Sequence, residues 1–100
     1  MKVNIETPNF VAKEELLEFV EKKLSKLELF YDKIIFADVY LKVLQSSEKE
    51  NKSVVILLSV PGEDITVKKE AKTFEEAIDE NVKTLERQLK KKKQKQKVHL

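Results

Sequence analysis

The apolar positions along this chain switch between the period of a strand and the period of a helix. Val3 and Ile5 alternate with Lys2, Asn4 and Glu6, which predicts a short first strand. Thr7-Pro8-Asn9 interrupts it. From about Lys13 to Phe30, the residues Leu16, Phe19, Val20, Leu24 and Leu27 recur every three or four positions. They form one stripe of a helix, with Glu14, Glu18, Lys22 and Lys26 elsewhere around it. The acids crowd its first half and the lysines its second, as the helix dipole favours. Asn9 is the nearest good N-cap, whereas Lys13 at the expected start is a poor one.

Ile34 to Leu44 is rich in β-branched and aromatic residues. Ala37, Val39, Leu41 and Val43 alternate with Asp38, Tyr40 and Lys42, the pattern of a half-buried strand. A polar loop is expected over Gln45 to Lys52. Ser53 to Val60 is apolar on both phases, so it reads as a central strand. Pro61-Gly62 fits a turn, with proline presetting one central residue and glycine permitting positive φ at the next. Asp64 to Lys68 returns as a fourth strand, with Ile65 and Val67 on one face. Short links between these three strands predict an antiparallel meander.

Thr73-Phe74-Glu75-Glu76 has the form of a capping box. The helix behind it buries Phe74, Ala77, Ile78, Val82, Leu85 and Leu89. After Leu89 the stripe ends and lysines take over, so fraying is expected from about Lys93. The order is β-α-β-β-β-α. The expected fold class is α+β: a four-stranded antiparallel-type sheet with two helices on one face, enclosing one core. Residues 1–92 form the single domain, and 93–100 a basic tail expected to be disordered without a partner.

Composition narrows the class. One hundred residues make one domain, and 41% apolar residues are enough for a small core. There is no cysteine, hence no disulfide framework and no thiolate metal site. The first residues are too short and polar for a signal peptide, and the longest apolar run, Val54 to Leu58, is far below a membrane span. A cytoplasmic protein with no membrane contact is expected. The one histidine, His99, stands beside the end of the chain, the serines have no positioned base, and no residue cluster has metal-ligand spacing. No enzyme, cofactor or metal is therefore expected.

Charge changes the picture most. Lys83 to Lys97 holds eight basic residues and one acid, Glu86, for a net +7. Met1 to Val82 holds twelve basic and seventeen acidic residues, for a net −5. An acidic body with a basic arm points to a polyanionic partner and to where it docks. Lys83, Arg87, Lys90, Lys91 and Gln94 follow helical spacing along one flank of the second helix. Lys22, Lys23 and Lys26 cluster late in the first helix, with Lys33 just after it. Two helices side by side on one sheet face would join these flanks into a groove of a size to hold an RNA backbone. The competing reading is a solvated lysine-rich helix end favoured by the dipole. There is no helix-turn-helix or zinc module for a DNA major groove. The strand aromatics do not match the base-stacking signature of an RNA-recognition motif, leaving base stacking a minor role for Tyr31 or Tyr40.

Several stretches carry a resemblance. They are Lys26-Leu27-Glu28, Phe30-Tyr31-Asp32-Lys33-Ile34, Val39-Tyr40-Leu41-Lys42-Val43, Thr73-Phe74-Glu75-Glu76-Ala77-Ile78-Asp79, and Leu85-Glu86-Arg87-Gln88-Leu89 followed by lysines. In this order they resemble the short form of the ribosome hibernation promoting factor family, also called the ribosome-associated translation inhibitor or sigma-54 modulation protein family. The resemblance implies a fold similar to the double-stranded RNA-binding domain. It implies binding to 16S ribosomal RNA of the small (30S) subunit, in the mRNA and tRNA channel, and inhibition of translation in stressed or stationary bacteria. By position it assigns RNA contact to Lys23, Lys26, Arg87, Lys91 and Lys95, while Lys83 and Lys90 are this chain's own additions on the same flank. It also departs from the family: Thr84 stands where relatives often have lysine, Lys13 where they start the first helix with threonine, and Thr73 where they cap the second with aspartate. The lysine-rich ending resembles the dimer-promoting subtype, for which a separate ribosome modulation factor is the implied partner, with the protein a monomer off the ribosome. Two other readings stand beside this one. They are a general double-stranded RNA-binding module without ribosome preference, and a protein-interaction domain whose lysine arm meets an acidic protein.

Overall fold

The computed structural model describes residues 1–45 and 51–98, with side chains up to Lys95. The elements follow the expected order: β1 (Lys2–Glu6), α1 (Glu14–Phe30), β2 (Phe36–Val43), β3 (Lys52–Val60), β4 (Glu63–Ala71) and α2 (Phe74–Val98). The sheet order is β1-β2-β3-β4. Most of the polar loop expected before β3, residues 46–50, lies outside the described residues, as does His99.

The sheet is mixed. β2, β3 and β4 form the expected antiparallel meander, with Val39 opposite Ile56 and Ile56 opposite Val67. β1 instead pairs parallel to β2, Val3 with Ala37 and Ile5 with Val39. An antiparallel β1 was the simpler expectation from a meander. The helix between β1 and β2 decides otherwise: one crossover helix returns the chain to the end it left, so the next strand runs parallel to the first. At the hairpin between β3 and β4, Gly62 has φ +87°, the conformation that residue alone accepts cheaply.

The core lies between the sheet and both helices. Val20, Leu24 and Leu27 of α1 meet Ala37, Val39 and Leu41 of β2, Val54, Ile56 and Leu58 of β3, and Ala77, Ile78, Leu85 and Leu89 of α2. Each large side chain so enclosed contributes roughly 1.5–3 kcal/mol. Phe10 stacks on Phe74, ring centroids 4.7 Å apart, and closes the core at the helix N-terminal end.

The helix ends follow local chemistry. The Glu76 amide donates to Thr73 Oγ1 at 3.1 Å, half of the expected capping box. Thr73→Ala is expected to cost about 1 kcal/mol, read from urea denaturation midpoints at constant m-value. Lys13 precedes α1 with no side-chain cap. Asn9 does not supply one either. Its amide donates to the Val43 carbonyl (2.6 Å) and its carbonyl accepts from the Val43 amide (3.0 Å), so it imitates one more strand residue beside β2. At the other end α2 is helical to Val98, past Lys93 where fraying was expected. Lysine and glutamine are good helix formers, and no glycine or proline interrupts them.

Candidate nucleic-acid interface

Topology places the basic residues. Three strands separate the two helices, so α2 runs in the same direction as α1. Two contacts fix that alignment. Lys23 of α1 bonds Asp79 near the start of α2 at 2.9 Å. Farther along both, Lys93 donates to the Phe30 carbonyl at 3.3 Å. The C-terminal halves, where the lysines are, therefore lie at the same end of the molecule.

Helical spacing divides the cations of α2 into two files. Asp79, Lys83, Glu86, Lys90 and Lys93 follow at intervals of four, three, four and three, so they share one side. Asp79 and Lys93 touch α1, so the file borders the trough between the helices at these two positions. Glu80, Thr84, Arg87, Lys91 and Lys95 form a second file, farther round. It borders β4 through Lys69, which lines an open depression of about 470 Å³ with Glu80, Lys83, Thr84, Glu86 and Arg87. Arg87 Nη2 donates to Thr84 Oγ1 at 3.1 Å, which orients the guanidinium. Thr84, the departure from lysine, thus acts as a guide for Arg87.

On α1, Phe19, Lys23, Lys26 and Phe30 form the file that faces α2, and Lys22 lies one step outward. Lys22, Lys26, Lys83, Arg87, Lys90, Lys91 and Lys95 are all exposed. Among the described residues none of these seven has a carboxylate partner. Lys23 differs. Its side chain is 27% exposed, paired with Asp79, and 5.3 Å over the Phe19 ring. In this state it clamps the two helices, a contribution of at most about 1 kcal/mol for a partly exposed pair.

Two cations the spacing argument passed over also matter. Lys93 lies 5.3 Å over the Phe30 ring, and Lys69 reaches the interface from the sheet. Lys69 shares the inward phase of Ile65 and Val67, which is the signal that a strand lysine is aimed at a helix. The two aromatics to which the sequence left base stacking as a minor role lie elsewhere. Tyr31 is buried in the core, and Tyr40 projects from the sheet face opposite the helices. Among the described residues no cluster of metal-ligating side chains occurs, and no helix is long and apolar enough to cross a membrane.

The fold and the site define a domain with a shallow cationic face on two parallel helices, backed by a mixed sheet, the electrostatic counterpart of an extended polyanion. The comparisons identify which such domain. The chain belongs to the Sigma 54 modulation protein / S30EA ribosomal protein family, whose model matches residues 3–97. It is 38% identical over 99 residues to the ribosome hibernation promoting factor of Escherichia coli, covering 99% of this chain and 100% of that one. It is 35% identical over 96 residues to the protein of that name from Pseudomonas putida, covering 96% and 90%. Its fold matches a ribosomal subunit interface protein from Coxiella burnetii with a TM-score of 0.82 at 25% identity, covering 93% and 98%.

Proposed function

We propose that this chain is a ribosome hibernation factor that silences translation by occupying the mRNA and tRNA channel of the 30S subunit. The observation that carries this reading is the parallel alignment of α1 and α2. It sets the stretch of α1 that carries Lys22 and Lys26 alongside the stretch of α2 that carries Lys83, Arg87, Lys90, Lys91 and Lys95, all of them exposed. Family membership supports the ribosome as the polyanion. The role is steric and electrostatic, without catalysis, and its place is the cytoplasm, where ribosomes are. Lysine and arginine neutralise rRNA phosphates without reading sequence, so specificity comes from the shape of the channel. Off the ribosome the protein is a monomer, and a ribosome modulation factor is the proposed partner for ribosome dimers.

Co-sedimentation with 30S and 70S particles tests this directly. Saturable binding near one copy per small subunit, competed by mRNA and initiator tRNA, is expected. About six to eight phosphate contacts make affinity fall roughly a thousandfold or more between about 50 and 200 mM salt. Unsaturable binding that no competitor displaces, or equal binding to an arbitrary RNA duplex, would reject channel occupancy.

A further inference from the structure

Where α1 ends against the flank of α2, Phe30, Lys90, Lys93 and Gln94 line an open notch of about 220 Å³. Phe30 is only half buried: it rests on the core yet leaves part of its ring to the notch. The Lys93 ammonium is held over that ring at 5.3 Å and bonds the Phe30 carbonyl at 3.3 Å. The ring thus sits at the exposed end of the cationic surface, with Lys93 over it and Lys90 lining the same notch. Gln94, exposed beside it, carries both a donor and an acceptor.

A duplex presents phosphates to such a surface but keeps its bases stacked inside. A half-exposed aromatic ring beside lysines has nothing to gain from a duplex. It matches an unpaired nucleotide, whose base has a free face and whose phosphates lie a short distance away. We propose that this notch takes one unpaired nucleobase of RNA, stacked on Phe30. Lys90 and Lys93 neutralise its flanking phosphates, and Gln94 hydrogen-bonds its edge. Lys93 leaves the ring as the base arrives: its flexible stem lets the ammonium exchange a weak contact with the ring for a phosphate. Base stacking, at sequence level only a minor role for Tyr31 or Tyr40, thus falls to Phe30, the aromatic that the fold brings to the cations.

This inference rests on the RNA-binding reading of the helix face but adds a preference for unpaired RNA. The test uses the full chain with two probes: a short unstructured oligoribonucleotide carrying one 2-aminopurine, and a blunt RNA duplex of equal length. Wild-type protein is expected to quench the 2-aminopurine on binding. Phe30→Leu is expected to keep the thermal midpoint and the duplex affinity, to weaken single-strand binding about tenfold, and to abolish the quench. Phe30→Tyr restores both. A loss that is equal on the two probes, or absent on both, overturns the notch. Sedimentation with 30S subunits runs alongside to separate the two readings. Wild-type protein that quenches the probe but ignores 30S subunits defeats the channel assignment and leaves the notch standing. Phe30→Leu that co-sediments like wild type and shows no single-strand defect defeats the notch alone.

Discussion

Arg87→Glu combined with Lys91→Glu is expected to abolish ribosome binding and leave the fold intact. Both side chains are exposed and belong to the outer file of α2. Neither touches the core formed by Ile78, Leu85 and Leu89. The double change reverses two charges, a difference of four units at the surface proposed to meet rRNA. At about 1 kcal/mol for each unit near a polyanionic surface, the loss is about 4 kcal/mol, on the order of a thousandfold in affinity. The salt slope of residual binding should fall by about two contacts. Circular dichroism and thermal midpoint check the fold, and sedimentation with 30S subunits reads the binding. Undiminished co-sedimentation would move the interface off α2. A matched Lys22→Glu variant should weaken binding less, because it reverses one charge rather than two.

The elements were largely legible in the sequence because each is amphipathic with a clean period. Alternation over Val39, Leu41 and Val43 gives a strand in any context, and Leu85 and Leu89 a helix. What the pattern does not carry is direction. Nothing in Val3 or Ile5 says that β1 runs parallel to β2. That follows from the single helix between them, a property of the whole chain path. The same holds for the site. The lysines are visible as a run, but the division of α2 into two files depends on where α1 lies, which Lys23 and Asp79 settle. Asn9 looked like a cap because of its residue type, and the backbone of Val43 claimed it first. Phe30 and Tyr31 are adjacent and chemically alike. The end of α1 falls between them: Phe30, the last helical residue, faces the lysines, and Tyr31, extended at the C-cap, enters the core.

The internal counterpart of that surface is Asn81, a fully buried polar side chain on the core side of α2. Its Nδ2 donates to the Val54 carbonyl of β3 at 3.0 Å and to the Val67 carbonyl of β4 at 2.9 Å. One amide thus pins α2 across the β3–β4 pair, and so fixes the height of the cationic files above the sheet. Its Oδ1 is buried with no partner among the described residues. Asn81→Asp keeps the shape and replaces the donor with a carboxylate facing two carbonyl oxygens. An uncompensated buried charge of this kind is expected to cost about 3–5 kcal/mol at pH 7. Burial and the two carbonyls both favour the protonated acid, raising the introduced carboxyl above its ordinary value of about 3.9. The sign follows from linkage: where the folded state holds its proton more tightly, stability is greatest below the unfolded pKa and is lost as pH rises through the folded one. The deficit relative to wild type, measured in urea at each pH, should therefore shrink as the pH falls toward 4. It should not vanish, since the neutral acid has one donor for two carbonyls. Asn81→Leu removes the donor without adding charge, so its deficit, about 1–3 kcal/mol, should not change with pH. Equal deficits for Asn81→Asp at both pH values would mean that the carboxylate escapes the two strands, and that α2 is held to the sheet by its apolar stripe alone.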